Sequence, residues 1–327
     1  MRSPVNLAIA AAAVAVIVLA TAFGETPLSL SRLAKAYLFA GAAGDQIVVW
    51  EIRLPRAVAA FTVGAALGAS GAALQGLLRN PLAEPGVLGV SASAALGGSL
   101  ALFYGAGPVS GFTVPIAAVI GALAATALLS AAAIQVRSII ALILIGVGLS
   151  SFAGAVMALL LNLAPNPISL SDLLSWSMGS VANRSLTDIA FAAPFLVAGF
   201  AAIAASARSL SALSLGDEAA AGLGVDLART RLLVVAGAGL ATGAAVAIAG
   251  AIGFVGIVAP HLVRPFVGYD PARTIVPAAL LGGALLVVAD IGVRLIPTPA
   301  ELRLGVVAAL IGAPFFVWIA AHRGGMR

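Results

Sequence analysis

Long stretches without a charged residue dominate the chain, and short segments rich in arginine, proline or glycine separate them. A helix needs about 20 apolar residues to cross a bilayer, so length alone divides the longest stretches. The uncharged stretch 85–136 holds two helices on that criterion, with the turn-forming segment 105–111 between them. The pattern predicts ten membrane-spanning helices, at 5–24, 57–78, 85–105, 111–136, 138–163, 189–207, 232–251, 253–267, 274–291 and 304–321.

The predicted helices are apolar on every face, which a soluble protein of this size could not bury. Hydrophobic residues make up 62% of the chain and charged residues 9%, with a mean hydropathy of +1.15. We therefore expect an all-α, polytopic membrane protein with a single transmembrane domain over residues 1–327. The 37 glycines favour closely packed helices, above all at the pairs Gly64/Gly68 and Gly239/Gly243. The lack of cysteine excludes disulfides and thiolate metal sites.

The positions of lysine and arginine predict that both chain ends lie in the cytoplasm, because basic residues concentrate in cytoplasmic loops. In this orientation the inside holds Arg2, Arg79, Arg137, Arg208, Arg229, Arg231, Arg264, Arg273, Arg323 and Arg327. The outside holds Arg32, Lys35, Arg53, Arg56, Arg184, Arg294 and Arg303. The net charge of +5 is therefore a signal of topology and does not indicate nucleic-acid binding.

Four sequence blocks, in a fixed order over nearly the whole chain, carry a family resemblance. They are RLPR at 53–56, GAALQGLLRNPLAEPGVLG at 71–89, GFVGIVAPHLVR at 253–264, and Glu301 followed by GVV at 305–307 and GAPF at 312–315. Any one block alone would be a weak signal, whereas the four together are specific. With them, the chain resembles the permease subunits of bacterial ABC importers for iron-siderophores, haem and cobalamin.

The resemblance implies a homodimer of ten-helix subunits in the inner membrane, with the transport pathway between the subunits. It also implies a periplasmic binding protein that delivers a metal chelate, and two cytoplasmic ATPase subunits that bind ATP and Mg²⁺. The chain itself has no G-x-x-x-x-G-K-[ST] phosphate loop and no plausible nucleophile and base pair. We therefore expect neither enzymatic activity nor a cofactor or metal site in this chain.

The predicted cytoplasmic segment 208–231 contains the sequence GDEAAAGLG. Asp217 and Glu218 fall in the first turn of a predicted short helix, where the helix dipole favours negative charge. The resemblance assigns contact with the ATPase to this segment, through Gly216, Asp217, Glu218, Ala221, Leu223 and Gly224. The alternative is an ordinary solvated loop.

Three arginines on the predicted outer side are candidates for docking the binding protein. The resemblance gives this role to Arg53, Arg56 and Arg294, and the planar guanidinium suits bidentate contacts with carboxylates. The alternative is that these arginines anchor helix ends at the membrane interface. Asp290 lies one helical turn before Arg294, so we also expect an ion pair between these two residues.

The aliphatic fifth helix is a candidate lining of the transport pathway. The resemblance assigns the lining to this helix, where Gly146 and Ser150 interrupt an apolar surface, and the cytoplasmic gate to the segment between Gln135 and Ser138. Ordinary helix packing explains the same composition. Arg184, near the external mouth, could meet an anionic group on the substrate, or it could be a surface or lipid-headgroup arginine.

The sequence leaves the substrate open among haem, a ferric siderophore and cobalamin. Arg184 favours an anionic iron chelate, haem first, and cobalamin is the alternative within the same family. An ion-coupled secondary transporter is the rival from another class, but it usually needs a free ionisable residue within the membrane. Asp290 is the candidate for that role, and we expect Arg294 to neutralise it.

Overall fold

The computed structural model describes residues 4–24, 27–105, 111–135, 138–296 and 301–323, without the side chains of 316 and 318–323. The described residues form fourteen α-helices: α1 (Pro4–Ala22), α2 (Leu30–Tyr37), α3 (Ala43–Ile47), α4 (Leu54–Leu78), α5 (Val90–Phe103), α6 (Thr113–Gln135), α7 (Ile139–Asn162), α8 (Pro167–Ser177), α9 (Leu186–Leu213), α10 (Asp217–Gly222), α11 (Leu227–Ala249), α12 (Val255–Val263), α13 (Pro271–Leu295) and α14 (Leu304–Arg323). A π-helical turn, Val48–Arg53, leads into α4, and a 3₁₀ turn, Arg264–Val267, extends α12.

The predicted all-α, polytopic architecture is confirmed. In the described part of the chain, seven helical segments are long and apolar enough to cross a membrane, and three shorter apolar helices accompany them. The short ones are α5, α12 with its 3₁₀ turn, and α14. These ten segments coincide with the ten predicted ones, although α9 and α13 extend further at both ends than predicted. The sequence did not predict the short helices α2, α3 and α8.

Helix α4 lies at the centre of the subunit and packs most extensively against α13, with α11 also alongside it. Small residues allow this close approach. A Cβ atom added at Gly64 would collide with the carbonyl oxygen of Gly282, and one at Gly68 would collide with that of Ala278. The predicted close contact at Gly64 and Gly68 is therefore confirmed. Helices α1 and α7, by contrast, bury little of their surface within the subunit.

The second predicted glycine pair makes a similar contact between α11 and α6. A Cβ atom at Gly239 would collide with the side chain of Thr126, and one at Gly243 would collide with that of Ala122. Because a larger residue at either position would collide with α6, the two glycines allow α11 and α6 to lie this close together.

The chain is irregular between α11 and α12, within the membrane-embedded part of the sequence. Gly250 has φ of +71° and Phe254 has φ of +67°, so the backbone turns sharply at both positions. A segment from elsewhere in the sequence binds the end of α11 here, because Ser180 N donates to Ala249 O (2.7 Å). Irregular backbone at membrane depth is tolerated only where protein or water satisfies its polar groups.

Candidate functional site

The three arginines predicted to dock the binding protein lie together in a buried cluster at the outer ends of α1, α4 and α13. The side chain of Arg56 donates to Asp290 Oδ1 (2.8 Å) and also pairs with Glu301. Arg294 Nη2 pairs with Asp290 Oδ2 (3.1 Å), which confirms the predicted pair one helical turn apart. Asp290 is therefore held between two guanidinium groups.

Further hydrogen bonds of this cluster bind the C-terminal end of α1. Arg53 Nη1 donates to Thr21 O (2.9 Å) and Ala22 O (3.1 Å), and Arg294 Nη1 donates to Ala20 O (3.0 Å) and Phe23 O (2.9 Å). The carbonyl groups at a helix C-terminus lack intrahelical partners and carry partial negative charge. The two arginines therefore satisfy the end of α1 from inside the subunit.

Burial changes what docking through these arginines would require. Arg53 is 4% exposed, and Arg56 and Arg294 are engaged by carboxylates of their own chain. A carboxylate on the binding protein would have to approach Arg56, the most exposed side chain of the three, and share it with Glu301. Docking through Arg53, Arg56 and Arg294 stays a prediction.

On the opposite side of the subunit, α10 forms the short helix that the sequence predicted in 208–231. Gly216 precedes it with φ of +105°, and Gly224 follows it with φ of +84°, so both glycines occupy conformations that other residues rarely adopt. Glu218 and Ala221 are exposed on α10, and Leu223, directly after it, is 67% exposed. The helix therefore presents a small surface to a partner, and its role in ATPase coupling stays a prediction.

Asp217, the first residue of α10, fixes this helix to the membrane-spanning helices. Arg79 Nη2 donates to Asp217 Oδ1 (2.5 Å), and Arg231 Nη2 donates to Asp217 Oδ2 (3.1 Å). Arg79 ends α4 in a left-handed conformation, and Arg231 lies in the first turns of α11. One carboxylate thus links α10 to two of the central helices.

A buried side chain near the inner end of α4 connects three separate segments. Gln75 is 2% exposed, and its amide nitrogen donates to Ala83 O (3.1 Å) and Gly256 O (3.0 Å). Its amide oxygen accepts a hydrogen bond from Arg264 Nη2 (2.5 Å). The amide group therefore holds α4, the hinge at 79–89 and the broken helix α12 in register, and its polar atoms are satisfied as a buried amide requires.

Glu84 of the hinge caps α12 from the side. Its Oε2 atom accepts a hydrogen bond from Phe254 N (3.1 Å), directly before α12 begins. Glu84 lines a cavity of about 260 Å³ together with Leu67, a residue near the middle of α4. Besides Asp290, Glu84 is therefore a second carboxylate enclosed by helices, and the sequence did not predict it.

Helix α7 uses its small and polar residues inside the subunit. Ser150 Oγ donates to Gly86 O (3.0 Å), and a Cβ atom at Gly146 would collide with Leu88. The opposite face of α7 carries exposed apolar side chains, among them Ile140, Leu144 and Phe152. The lining role of Gly146 and Ser150 stays a prediction, and the exposed surface that α7 offers for it is this aliphatic face.

The predicted gate flanks two residues, 136 and 137, that lie outside the described part of the chain. Gln135 ends α6, and Ser138 caps α7 by accepting a hydrogen bond from Ala141 N (3.4 Å). Arg184 lies in the loop between α8 and α9, beside a cavity of about 510 Å³. The gate and the role of Arg184 stay predictions.

The structure adds Gln75, Glu84 and Glu301 to the residues of interest. Gln75 and Glu84 both belong to the sequence block at 71–89 that carries the family resemblance. Gln75 could have been noticed in the sequence because it is a polar residue within an uncharged helix. The partners of both residues in and before α12, Gly256 and Phe254, follow more than 160 positions later in the chain, so sequence spacing alone could not identify them.

Comparison with known proteins gives a match over most of the chain. The model of the FecCD transport family matches residues 12–322. The uncharacterised ABC transporter permease YvrB of Bacillus subtilis is 39% identical over 285 residues, which cover 85% of this chain and 80% of YvrB. The cobalamin import permease BtuC of Halobacterium salinarum is 42% identical over 280 residues, 85% of this chain and 74% of the relative.

A bacterial vitamin B12 permease and a solved structure agree with this match. The vitamin B12 import permease BtuC of Salmonella typhimurium is 39% identical over 282 residues, 85% of this chain and 84% of the relative. A solved structure described as a metal-chelate type ABC transporter in an inward-facing conformation has a TM-score of 0.84. It is 31% identical and covers 98% of this chain and 99% of its own.

Proposed function

Because the chain belongs to the FecCD transport family and is a multi-pass inner-membrane permease of the ABC transporter class, we propose that it forms the transmembrane path of an ATP-driven importer of a metal chelate. Two copies of the chain enclose the path. Two cytoplasmic ATPase subunits bind ATP and Mg²⁺, and a periplasmic binding protein delivers the chelate. The permease itself moves the substrate by alternating access.

The geometry of α10 carries the mechanical part of this proposal. A short helix with an exposed apolar residue, Leu223, suits contact with a soluble partner, and Asp217 joins it to Arg79 and Arg231 at the ends of two central helices. A displacement of α10 would therefore act directly on α4 and α11. Through Arg79, the same displacement reaches the hinge at 79–89 and its contacts with α12.

Cobalamin is the first candidate substrate. Two relatives with 39% and 42% identity over 85% of this chain are cobalamin permeases. These relatives support our proposal of cobalamin ahead of haem, which the sequence alone favoured because of Arg184. A ferric siderophore or haem is the second candidate, because Arg184 lies beside an outer cavity and an anionic chelate could pair with it.

Transport by the reconstituted complex tests the proposal. The permease, its cognate ATPase and its binding protein would be placed in proteoliposomes, and uptake of labelled cobalamin, haem and a ferric siderophore would be compared. We expect ATP-dependent accumulation of cobalamin, and none without the binding protein. Uptake of haem or the siderophore without cobalamin would select the second candidate. Uptake that needs an ion gradient and no ATP would overturn the importer role.

A further inference from the structure

A cavity of about 510 Å³ lies at the outer end of the subunit, where α5 and α11 end and where α6 and α9 begin. It is lined within one subunit by apolar groups of these helices and by a set of polar side chains. The polar residues that matter here are Asp172, Ser175, Ser180, Asn183, Arg184 and Arg303.

Arg184 stands out in this cavity because of the Nε donor of its guanidinium group. The Nε atom is buried, and none of the described residues accepts a hydrogen bond from it. The nearby carboxylate of Asp188 is used elsewhere, since its Oδ2 atom accepts hydrogen bonds from Ser185 N and Ser185 Oγ, both at 2.8 Å. A buried donor that carries charge is costly to leave without an acceptor.

The electrostatics of the site agree with this geometry. Burial lowers the pKa of the Arg184 guanidinium from its ordinary value, and the negative charge of Asp188 opposes this effect without cancelling it. An anion next to Arg184 would stabilise the charged form and restore the pKa.

A second arginine lines the same cavity. Arg303 Nη2 donates to Ser175 Oγ (2.7 Å), and both residues line the cavity. The lining residues include two arginines and one carboxylate, that of Asp172, so the lining carries net positive charge. Serine hydroxyl groups and the amide of Asn183 add neutral hydrogen-bonding groups.

We propose that this cavity is a binding site for an oxyanion, a phosphate or carboxylate group, with Arg184 as its main donor and Arg303 as the second cation. The guanidinium group suits both anions because it can form two parallel hydrogen bonds with them. The volume exceeds what one such group fills, so the rest of the ligand occupies the apolar part of the cavity. A phospholipid headgroup and a soluble oxyanion of the periplasm both provide this chemistry. The site is distinct from the coupling helix α10.

The first test uses inorganic phosphate as the probe and the full-length permease in a neutral detergent. Thermal unfolding is measured across a phosphate series, with sodium chloride at matched ionic strength as the reference. A ligand that binds the folded state raises the unfolding temperature in a saturable way. We expect such a response from the wild-type protein and an apparent Kd at least about tenfold weaker in Arg184→Gln, as expected for loss of a charge-assisted bond. Arg208→Gln, an exposed arginine on the other side of the subunit, is the matched control and keeps the wild-type Kd.

The second test identifies the source of the anion by native mass spectrometry of the same preparations. A phospholipid retained by the wild-type protein and by Arg208→Gln, but lost from Arg184→Gln, assigns the site to a lipid headgroup. A saturable phosphate response without retained lipid assigns it to a soluble oxyanion. If Arg184→Gln fails to fold, Arg303→Gln replaces it in both measurements. A wild-type protein with neither a saturable response nor a retained lipid overturns the proposal, as do identical results for the wild-type protein and the cavity variant.

Discussion

Asp290 shows how a charge can be maintained within the apolar part of this protein. Its carboxylate is fully buried and lies between Arg56 and Arg294, which in turn bind Glu301 and the C-terminal carbonyl groups of α1. Desolvation of such a group is costly, and ion pairs with complete hydrogen bonding offset the cost. The cluster therefore stabilises the outer ends of three helices, whatever further contacts it makes with a partner.

We predict that Asp290→Asn destabilises the subunit far more than the loss of a surface pair. Removing the central charge leaves the buried guanidinium group of Arg294 without its carboxylate and Arg56 with Glu301 alone, and loss of one partner costs about 3–5 kcal/mol in comparable buried pairs. Arg273→Gln is the control, because Arg273 is an exposed partner of Asp270 and such pairs contribute at most about 1 kcal/mol. Thermal or denaturant unfolding in detergent would measure both. Equal losses in the two variants would contradict the role assigned to the cluster.

At the level of helices, close packing depends on positions where a single methyl group does not fit. Gly68 of α4 faces the carbonyl oxygen of Ala278 on α13, and no flexible side chain is present there to move aside. Gly292 lies on the same helix α13, but a Cβ atom added there meets nothing within 4 Å. The two glycines therefore have opposite consequences for substitution.

We predict that Gly68→Ala destabilises the protein by about 1–3 kcal/mol, because overpacking forces α4 and α13 apart. Gly292→Ala is the matched control, and we expect it to be neutral or to stabilise by up to about 1 kcal/mol through its higher helix propensity. Unfolding temperatures of the two variants in detergent give the comparison. A neutral Gly68→Ala variant would show that the α4–α13 contact is looser than the structure indicates.

The helices differ in how far the sequence could predict them. The ten spans and two close helix contacts followed from the sequence, because the length of an uncharged stretch and the spacing of Gly64/Gly68 and Gly239/Gly243 can be read from residues that are near each other in the chain. Helix α2 is short and amphipathic, and a criterion based on 20 apolar residues cannot detect it. The hydrogen bonds of Gln75 and Glu84 join residues that are distant in the chain, and only the fold brings them together. The burial of Arg53 could not be predicted either, because it depends on where α1 ends.

At the scale of the whole molecule, polar contacts form a continuous route from the cytoplasmic surface towards the centre of the subunit. Asp217 joins α10 to Arg79, and Arg79 begins the hinge that carries Glu84. Glu84 caps α12, and Gln75 binds the hinge, α12 and Arg264 at once. We therefore expect a movement of α10 to reach α12 through these contacts.

We predict that Asp217→Asn uncouples the ATPase from transport while it leaves the subunit folded. The two ion pairs of Asp217 are partly exposed, so their loss changes stability by only about 1 kcal/mol. Stimulation of ATP hydrolysis by the loaded binding protein should nevertheless fall several-fold, because α10 is no longer fixed to α4 and α11. Glu51→Gln, an exposed carboxylate on the outer side, is the control for a change in charge alone. ATPase assays of the complex in proteoliposomes, with and without the binding protein, measure the effect. Wild-type stimulation in Asp217→Asn would show that α10 transmits force through its backbone connections to α9 and α11 rather than through this carboxylate.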